Sequence, residues 1–372
     1  MKPARNTAID AYRGLVMLLM MAEVLQLSRV AEAFPGNLFW IALAWNQTHV
    51  AWAGCSLHDT IQPGFSFLVG VALPYSIASR LAKGATFGRL FAHALWRGLL
   101  LIALGIFLRS LHSPITYFTF EDTLTQIGLG YPILFLLGFR SERWHWGALA
   151  AILAGYWLAW ALYPVQGPFA AHWIKDANFG NAFDQWFLNL FPRTKPFVAN
   201  SGGYLTLSFI PTLGTMILGL VAGNWIRSAS PRIPMKRLLI AGAATMAAGL
   251  LLHFTGICPI VKRIWTPSWT LFSGGICFFN LAAFSWIIEV KGWRKWSFPL
   301  LVIGMNSIAV YMASEMVEEI LRQVGWRAPL YRAVFAPLAS PYNASLLYAV
   351  VYMLLMYLIA YVMYRRGWFL RV

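Results

Sequence analysis

Charge is scarce in this chain. Only 11% of its 372 residues are charged, where a soluble domain carries roughly 25%. A soluble globular enzyme is therefore excluded, as are disordered and collagen-like chains. Cysteine is almost missing as well. Cys55, Cys258 and Cys277 show neither C-x-x-C nor zinc spacing, so no disulfide framework and no metal site is implied. A Cys55–Cys258 bridge on the outer side stays open. The sequence also lacks a Walker loop, a G-x-S-x-G and an H-E-x-x-H. Apolar residues, by contrast, make up 59% of the chain. They run continuously rather than alternating, which argues against a membrane β-barrel. The expected fold is all-α, a polytopic transmembrane helix bundle of about ten or eleven spans, folded as a single domain over residues 1–372.

Spans are expected at Ala8–Ser28, Gln62–Arg80, Leu90–Arg109, Gln126–Phe139, Trp146–Tyr163, Tyr204–Ile226, Leu238–Thr255, Pro267–Ile288, Phe298–Met316 and Ser345–Tyr364. The first 33 residues imitate a signal peptide, with Ala31-Glu32-Ala33 as a cleavage-like end. Arg13 and Glu23 interrupt its apolar stretch, so a retained first helix is expected. Lys and Arg total 29 against 13 Asp and Glu, a net charge of +16. Those basic residues flank apolar spans instead of forming a nucleic-acid stripe, so no nucleic acid partner is expected. With the N-terminus inside, 17 fall on inner segments, among them Lys2, Arg5 and Arg371, and 10 on outer ones. That bias places both termini in the cytoplasm.

Two outer segments, about 28–61 and 164–203, are long and rich in Trp, Asn, Asp and His. Long ordered loops usually carry function. The first contains His49, Trp52, His58 and Asp59 just before a helix opened by Pro63. An imidazole can act as a base or nucleophile near neutral pH, with a carboxylate orienting it. The alternative is a pair of interfacial histidines solvated by headgroups. The second outer segment offers Asn181 and Asp184 among aromatic rings, which suits a sugar and equally suits an interfacial aromatic belt. Asp10 and Arg13 share one helix face and can pair. Arg97, behind Trp96, could grip a phosphate as a fork. Lys262 with Trp265, and Asn306 with Ser307, add polar groups beside or within spans; such groups most often bond a neighbouring helix. Asn46-Gln47-Thr48 and Asn343-Ala344-Ser345 are glycosylation sequons, meaningful only in a eukaryotic secretory pathway.

These anchors occur in an order that resembles a known family. Asp10-x-x-Arg13-Gly14 comes first, then His49-x-x-Trp52-x-Gly54 followed by Asp59, Pro63, Phe65, Phe67 and Gly70. Trp96-Arg97, Lys262-x-x-Trp265 and Gly304-Met305-Asn306-Ser307 complete the series. The pattern resembles the heparan-α-glucosaminide N-acetyltransferase family, with bacterial NagX-type members looking closest. The resemblance implies transfer of an acetyl group from cytosolic acetyl-CoA to the amine of a glucosamine-type sugar on the outer side. It points to His49 as catalytic, and the family's Asp and W-R pair correspond to Asp59 and Trp96-Arg97; Asp59 is then expected to act with His49, and Arg13, Trp96 and Arg97 to contact acetyl-CoA. Glu23, Trp52, His58, Asn181, Asp184, Lys262, Trp265, Asn306 and Ser307 are then the expected substrate contacts. Membrane lipid and the acceptor sugar are the expected partners, a homodimer is left open, and the bacterial inner membrane is the expected location. Three positions depart from the family pattern: Val24 stands for an Asn, Ala53 for the middle Asn of W-N-G, and Leu124-Thr125-Gln126 for L-Q-R. The rival reading is a transporter of amino sugars or related solutes.

Overall fold

The computed structural model describes residues 6–370. Lys2, Arg5 and Arg371, which entered the charge count, lie outside the described residues. In chain order the helices are α1 (Thr7–Met21), α2 (Leu27–Ala33), α3 (Leu38–Gln47), α4 (Ile61–Leu81), α5 (Phe87–Ser110), α6 (Thr123–Leu137), α7 (Glu142–Ala161), α8 (Phe179–Phe187), α9 (Phe209–Ala229), α10 (Met235–Phe254), α11 (Pro267–Ser285), α12 (Phe298–Met305), α13 (Ser307–Gln323), α14 (Arg327–Leu330) and α15 (Pro341–Arg366). The fold is all-α, and the chain is an integral polytopic membrane protein.

The number of spans is smaller than expected. Among the described residues, six helical stretches are long and apolar enough to cross a membrane: His58–Leu81, Phe87–Ser110, Thr206–Ala229, Met235–Phe254, Pro267–Val290 and Pro341–Arg366. Two bent pairs raise this to eight if each counts as one span. The expectation of ten or eleven spans is thereby corrected, and the causes are local. The expected Gln126–Phe139 span is α6, only 15 residues long, which at ~1.5 Å per residue falls short of a ~30 Å hydrocarbon core. The expected Trp146–Tyr163 span is α7, 20 residues long, but Glu142, Arg143, His145, Tyr156 and four tryptophans lower its apolarity. The first expected span bends by 45° between Thr7–Leu25 and Leu27–Ala33. The ninth bends by 69° between Lys295–Met305 and Ser307–Gln323.

The described residues fall into two compact units. One holds Gln62–Gly292, Trp52–Gly54 and the described residues up to Ile9. Its axis is α9, where Leu213, Met216, Ile217, Leu218 and Leu220 are all buried. Helices meet there at backbone distance: a Cβ on Gly219 would sit 1.9 Å from the Phe67 carbonyl oxygen of α4. Small residues of this kind let membrane helices gain van der Waals contact that lipid cannot supply. Polar bonds add to it, since Gln126 Oε1 accepts from Gln62 Nε2 at 3.0 Å and from Thr212 Oγ1 at 2.9 Å. The long segment 164–203 is an ordered cap rather than a loose loop. Trp160 and Trp173 stack with centroids 5.5 Å apart, within a cluster that includes Tyr156, Leu205 and Val261.

The other unit holds Asp10–Ala51, Cys55–Ile61 and the described chain from Trp293 onward. Here α1 and α12 touch: a Cβ on Gly304 would lie 1.9 Å from the Asp10 carbonyl oxygen. Its first helix breaks at Gln26, which adopts φ 45° and ψ 51°. The Gln47 side chain of α3 spans that break, accepting from Leu27 N at 2.6 Å and donating to the Ala22 carbonyl. Segment 22–27 is thus tied to the end of the helix that delivers the next residues of interest. All three cysteines are free thiols.

Candidate active site

Leaving α3, the chain runs through residues 48–57 and re-enters a helix at the short turn His58–Thr60, which leads into α4. That re-entry is a reciprocal capping box. Asp59 Oδ2 accepts from Ser56 N at 3.0 Å, and Ser56 Oγ accepts from Asp59 N at 3.4 Å. Val50 N donates to the same Oδ2 at 3.3 Å. Asp59 is thus fixed by the backbone on both sides, with 1% of its side chain exposed.

The other oxygen of Asp59 meets His49 Nδ1 at 2.7 Å. An ionised carboxylate can only accept, so the neutral imidazole carries its proton on Nδ1 and its lone pair on Nε2. This is the geometry of an oriented general base. His49 remains about a third exposed, at 31%. The second imidazole, His58, lies against it with ring centroids 4.4 Å apart and planes at 51°. His58 is buried, and its Nε2 lies 3.9 Å from Glu23 Oε2, a carboxylate that is 69% exposed. The structure thus assembles four of the expected residues, His49, His58, Asp59 and Glu23, in one unit. Val24, beside Glu23, lines a cavity of about 690 Å³ together with Arg29, Arg322, Arg327, Tyr331 and Tyr348.

The remaining expected residues are distributed elsewhere. Within the same unit, Arg13 pairs with Asp10 at 3.2 Å. Asn306 occupies the 69° break, its Oδ1 accepting from Leu370 N at 3.2 Å while its buried Nδ2 has no partner among the described residues. Ser307 begins α13. The other unit contains Trp52, Trp96, Arg97, Asn181, Asp184, Lys262 and Trp265. Trp52 Nε1 donates to the Trp173 carbonyl at 2.8 Å. Lys262 is buried over the Tyr204 ring, and Trp265 takes φ 48° with its Nε1 on Thr215 Oγ1. Asn181 Nδ2 donates to the Asp176 carbonyl, and Asp184 accepts from Thr206 N at 3.0 Å. Both of these side chains brace the cap from inside. Burial pushes the Asp184 carboxyl up to about 6, and Glu121, ahead of α6, also up to about 6 for the same reason. Trp96 is exposed on α5. Arg97 lies over the Tyr131 ring at 4.5 Å and donates to its hydroxyl at 2.9 Å. Its buried Nε has no partner among the described residues, so it retains a donor for an anionic group. Among the described residues, no group of three His, Cys, Asp or Glu side chains is arranged to hold a metal ion.

Two contributors escaped the sequence reading. Ser56 was signalled, because Ser-x-x-Asp ahead of an apolar run is a capping-box pattern. Gln47 carried no such signal, since its role depends on a left-handed kink at a glutamine.

No family model matches the chain. It is 23% identical to human heparan-alpha-glucosaminide N-acetyltransferase, over all of this chain and 60% of that protein. It is 22% identical to the mouse protein of the same name, over 99% of this chain and 60% of that protein. The chain thus spans about 60% of the length of the curated relatives it matches. The homology is distant but runs full length. Both relatives are mammalian, so the likeness shown is to the family at large and not specifically to bacterial members.

Proposed function

We propose that the protein is an acetyl-CoA-dependent N-acetyltransferase acting on the amine of an amino sugar, with His49 as the general base. The observation that carries this reading is the 2.7 Å contact of His49 Nδ1 with Asp59, which sets the imidazole tautomer. The distant likeness to named acetyltransferases supports it. In the reaction the amine nitrogen attacks the thioester carbonyl, the C–N bond forms and the C–S bond breaks. His49 Nε2 takes a proton from the attacking nitrogen, and Asp59 stabilises the imidazolium that results. Asn306 Nδ2 is a donor available to a developing oxyanion. Arg13 in one unit and Arg97 in the other are each proposed as a guanidinium for a CoA phosphate, with the nucleotide on the inner face and the acceptor on the outer one.

A second reading draws on the two broken helices. Discontinuous spans are a feature of transporters that bind solutes near the membrane midplane. Purified full-length protein in detergent, given labelled acetyl-CoA and a panel of amino sugars, separates the two. The transferase reading expects N-acetylated sugar and free CoA. Uptake of amino sugar into proteoliposomes without any acetylated product would replace it with the transporter.

A further inference from the structure

Resting on the transferase reading, the geometry points to a proton exit from the active site, built from His58 and Glu23. The need for one follows from the stoichiometry. Near neutral pH an amino sugar arrives largely as an ammonium ion, its amine titrating close to an α-amino group at about 8. Acetylation converts R–NH3+ and acetyl-CoA into the amide, CoA thiol and one proton. Two protons leave the nitrogen. One neutralises the departing thiolate, and the other has no acceptor among the products. A single histidine held by Asp59 can carry one of these protons to sulfur but must shed the other before it can work again.

His58 and Glu23 occupy the place where that second proton has to go. His58 packs on His49 at 4.4 Å between centroids and is shielded from water, with 8% exposure. Its Nε2 is turned toward Glu23 at 3.9 Å. Glu23 in turn, close to the bend that ends the Thr7–Leu25 helix, has 69% of its side chain exposed, and the proposal has it pass the proton on to water. A buried imidazole thus lies between the base and an exposed carboxylate, and at 3.9 Å the last step to Glu23 needs a water or a small side-chain movement. Within its unit, the ionisable groups recorded beside His58 include Glu23 from the segment after α1 and His49 from the loop after α3, with Asp59 next to it in its own turn. Two imidazolium ions in contact repel each other, so the pair carries one proton at a time, and Glu23 stabilises the transient charge on His58. In the step itself the N–H bond of protonated His49 breaks and an N–H bond forms on His58 Nδ1. The Nε2 proton of His58 then moves to Glu23 and on to water. No oxidant or reductant takes part.

The test is the pH dependence of kcat for glucosamine acetylation by the full chain, comparing wild type with His58→Gln and Glu23→Gln. Each variant is expected to lose about tenfold or more at about pH 6.5, where the acceptor is an ammonium ion. Each should recover to within about twofold of wild type at about pH 9, where the amine arrives already deprotonated. Added imidazole buffer should restore His58→Gln on the acid side. Glu23→Gln alters an exposed side chain and keeps the test available if His58→Gln fails to fold. A loss that is equal at every pH, or no loss at all, would overturn the exit pair. A wild-type chain that acetylates glucosamine at no pH would instead overturn the transferase reading, and the exit pair with it.

Discussion

At the scale of single residues, the account rests on how two side chains fix a proton. His49→Gln keeps much of the volume but removes the base, and is expected to lower kcat by on the order of 10²–10⁴. Asp59→Asn offers His49 an amide in place of the carboxylate, so the tautomer is no longer fixed; initial-rate assays should show a loss of up to about 10⁴. Ser56→Ala removes half of the capping box. It should cost about 1 kcal/mol in thermal or denaturant unfolding and leave a milder kinetic defect. The spacing of His49 and Asp59 ahead of Pro63 was legible in the sequence because both residues lie in one loop. The approach of Glu23 to His58 was not, because it depends on the break at Gln26 and on Gln47 bridging it. Asn181 and Asp184 are both buried, and each makes a hydrogen bond within the cap that the sequence pattern did not announce.

Glu121 and Asp184 also give the fold a pH dependence. Burial raises both carboxyls to about 6, above the unfolded values of about 4. Between those values the folded chain holds protons that the unfolded chain has released. Their stabilisation is therefore complete below about pH 4 and lost as pH rises through about 6, on the order of 2–3 kcal/mol for each group. Unfolding midpoints measured from pH 4 to pH 7 should fall across that window, and Glu121→Gln with Asp184→Asn should flatten the slope.

At the scale of helices, close backbone contact does much of the packing. Gly219→Ala places a methyl 1.9 Å from the Phe67 carbonyl oxygen, so α4 and α9 must separate. The expected cost is about 1–3 kcal/mol, read as a lowered unfolding midpoint in detergent. Hydropathy alone located the six apolar spans well, because a continuous apolar run dictates a helix whatever surrounds it. It overcounted where other physics intervened. The stretch at α6 is apolar but short, and α7 is long but loaded with tryptophan. The two bent helices turn at Gln26 and Asn306, neither of which is a proline or a glycine. Breaks of that kind are set by tertiary hydrogen bonds and close packing, and no local sequence pattern announces them.

At the scale of the whole molecule, composition fixed the class: 59% hydrophobic residues and 11% charged ones leave no soluble fold to adopt. The chain is expected to remain in the membrane pellet through alkaline extraction and to need detergent for release. The proposed function is assigned to the unit in which His49, Asp59, His58 and Glu23 meet, and its central claim is that the His49 imidazole performs acyl transfer there. The most direct measurement is the rate of CoA thiol release by purified full-length protein given acetyl-CoA and glucosamine, compared with His49→Gln at matched folding. The account predicts acceptor-dependent release by the wild type and background release by the variant. Equal rates in the two would contradict it.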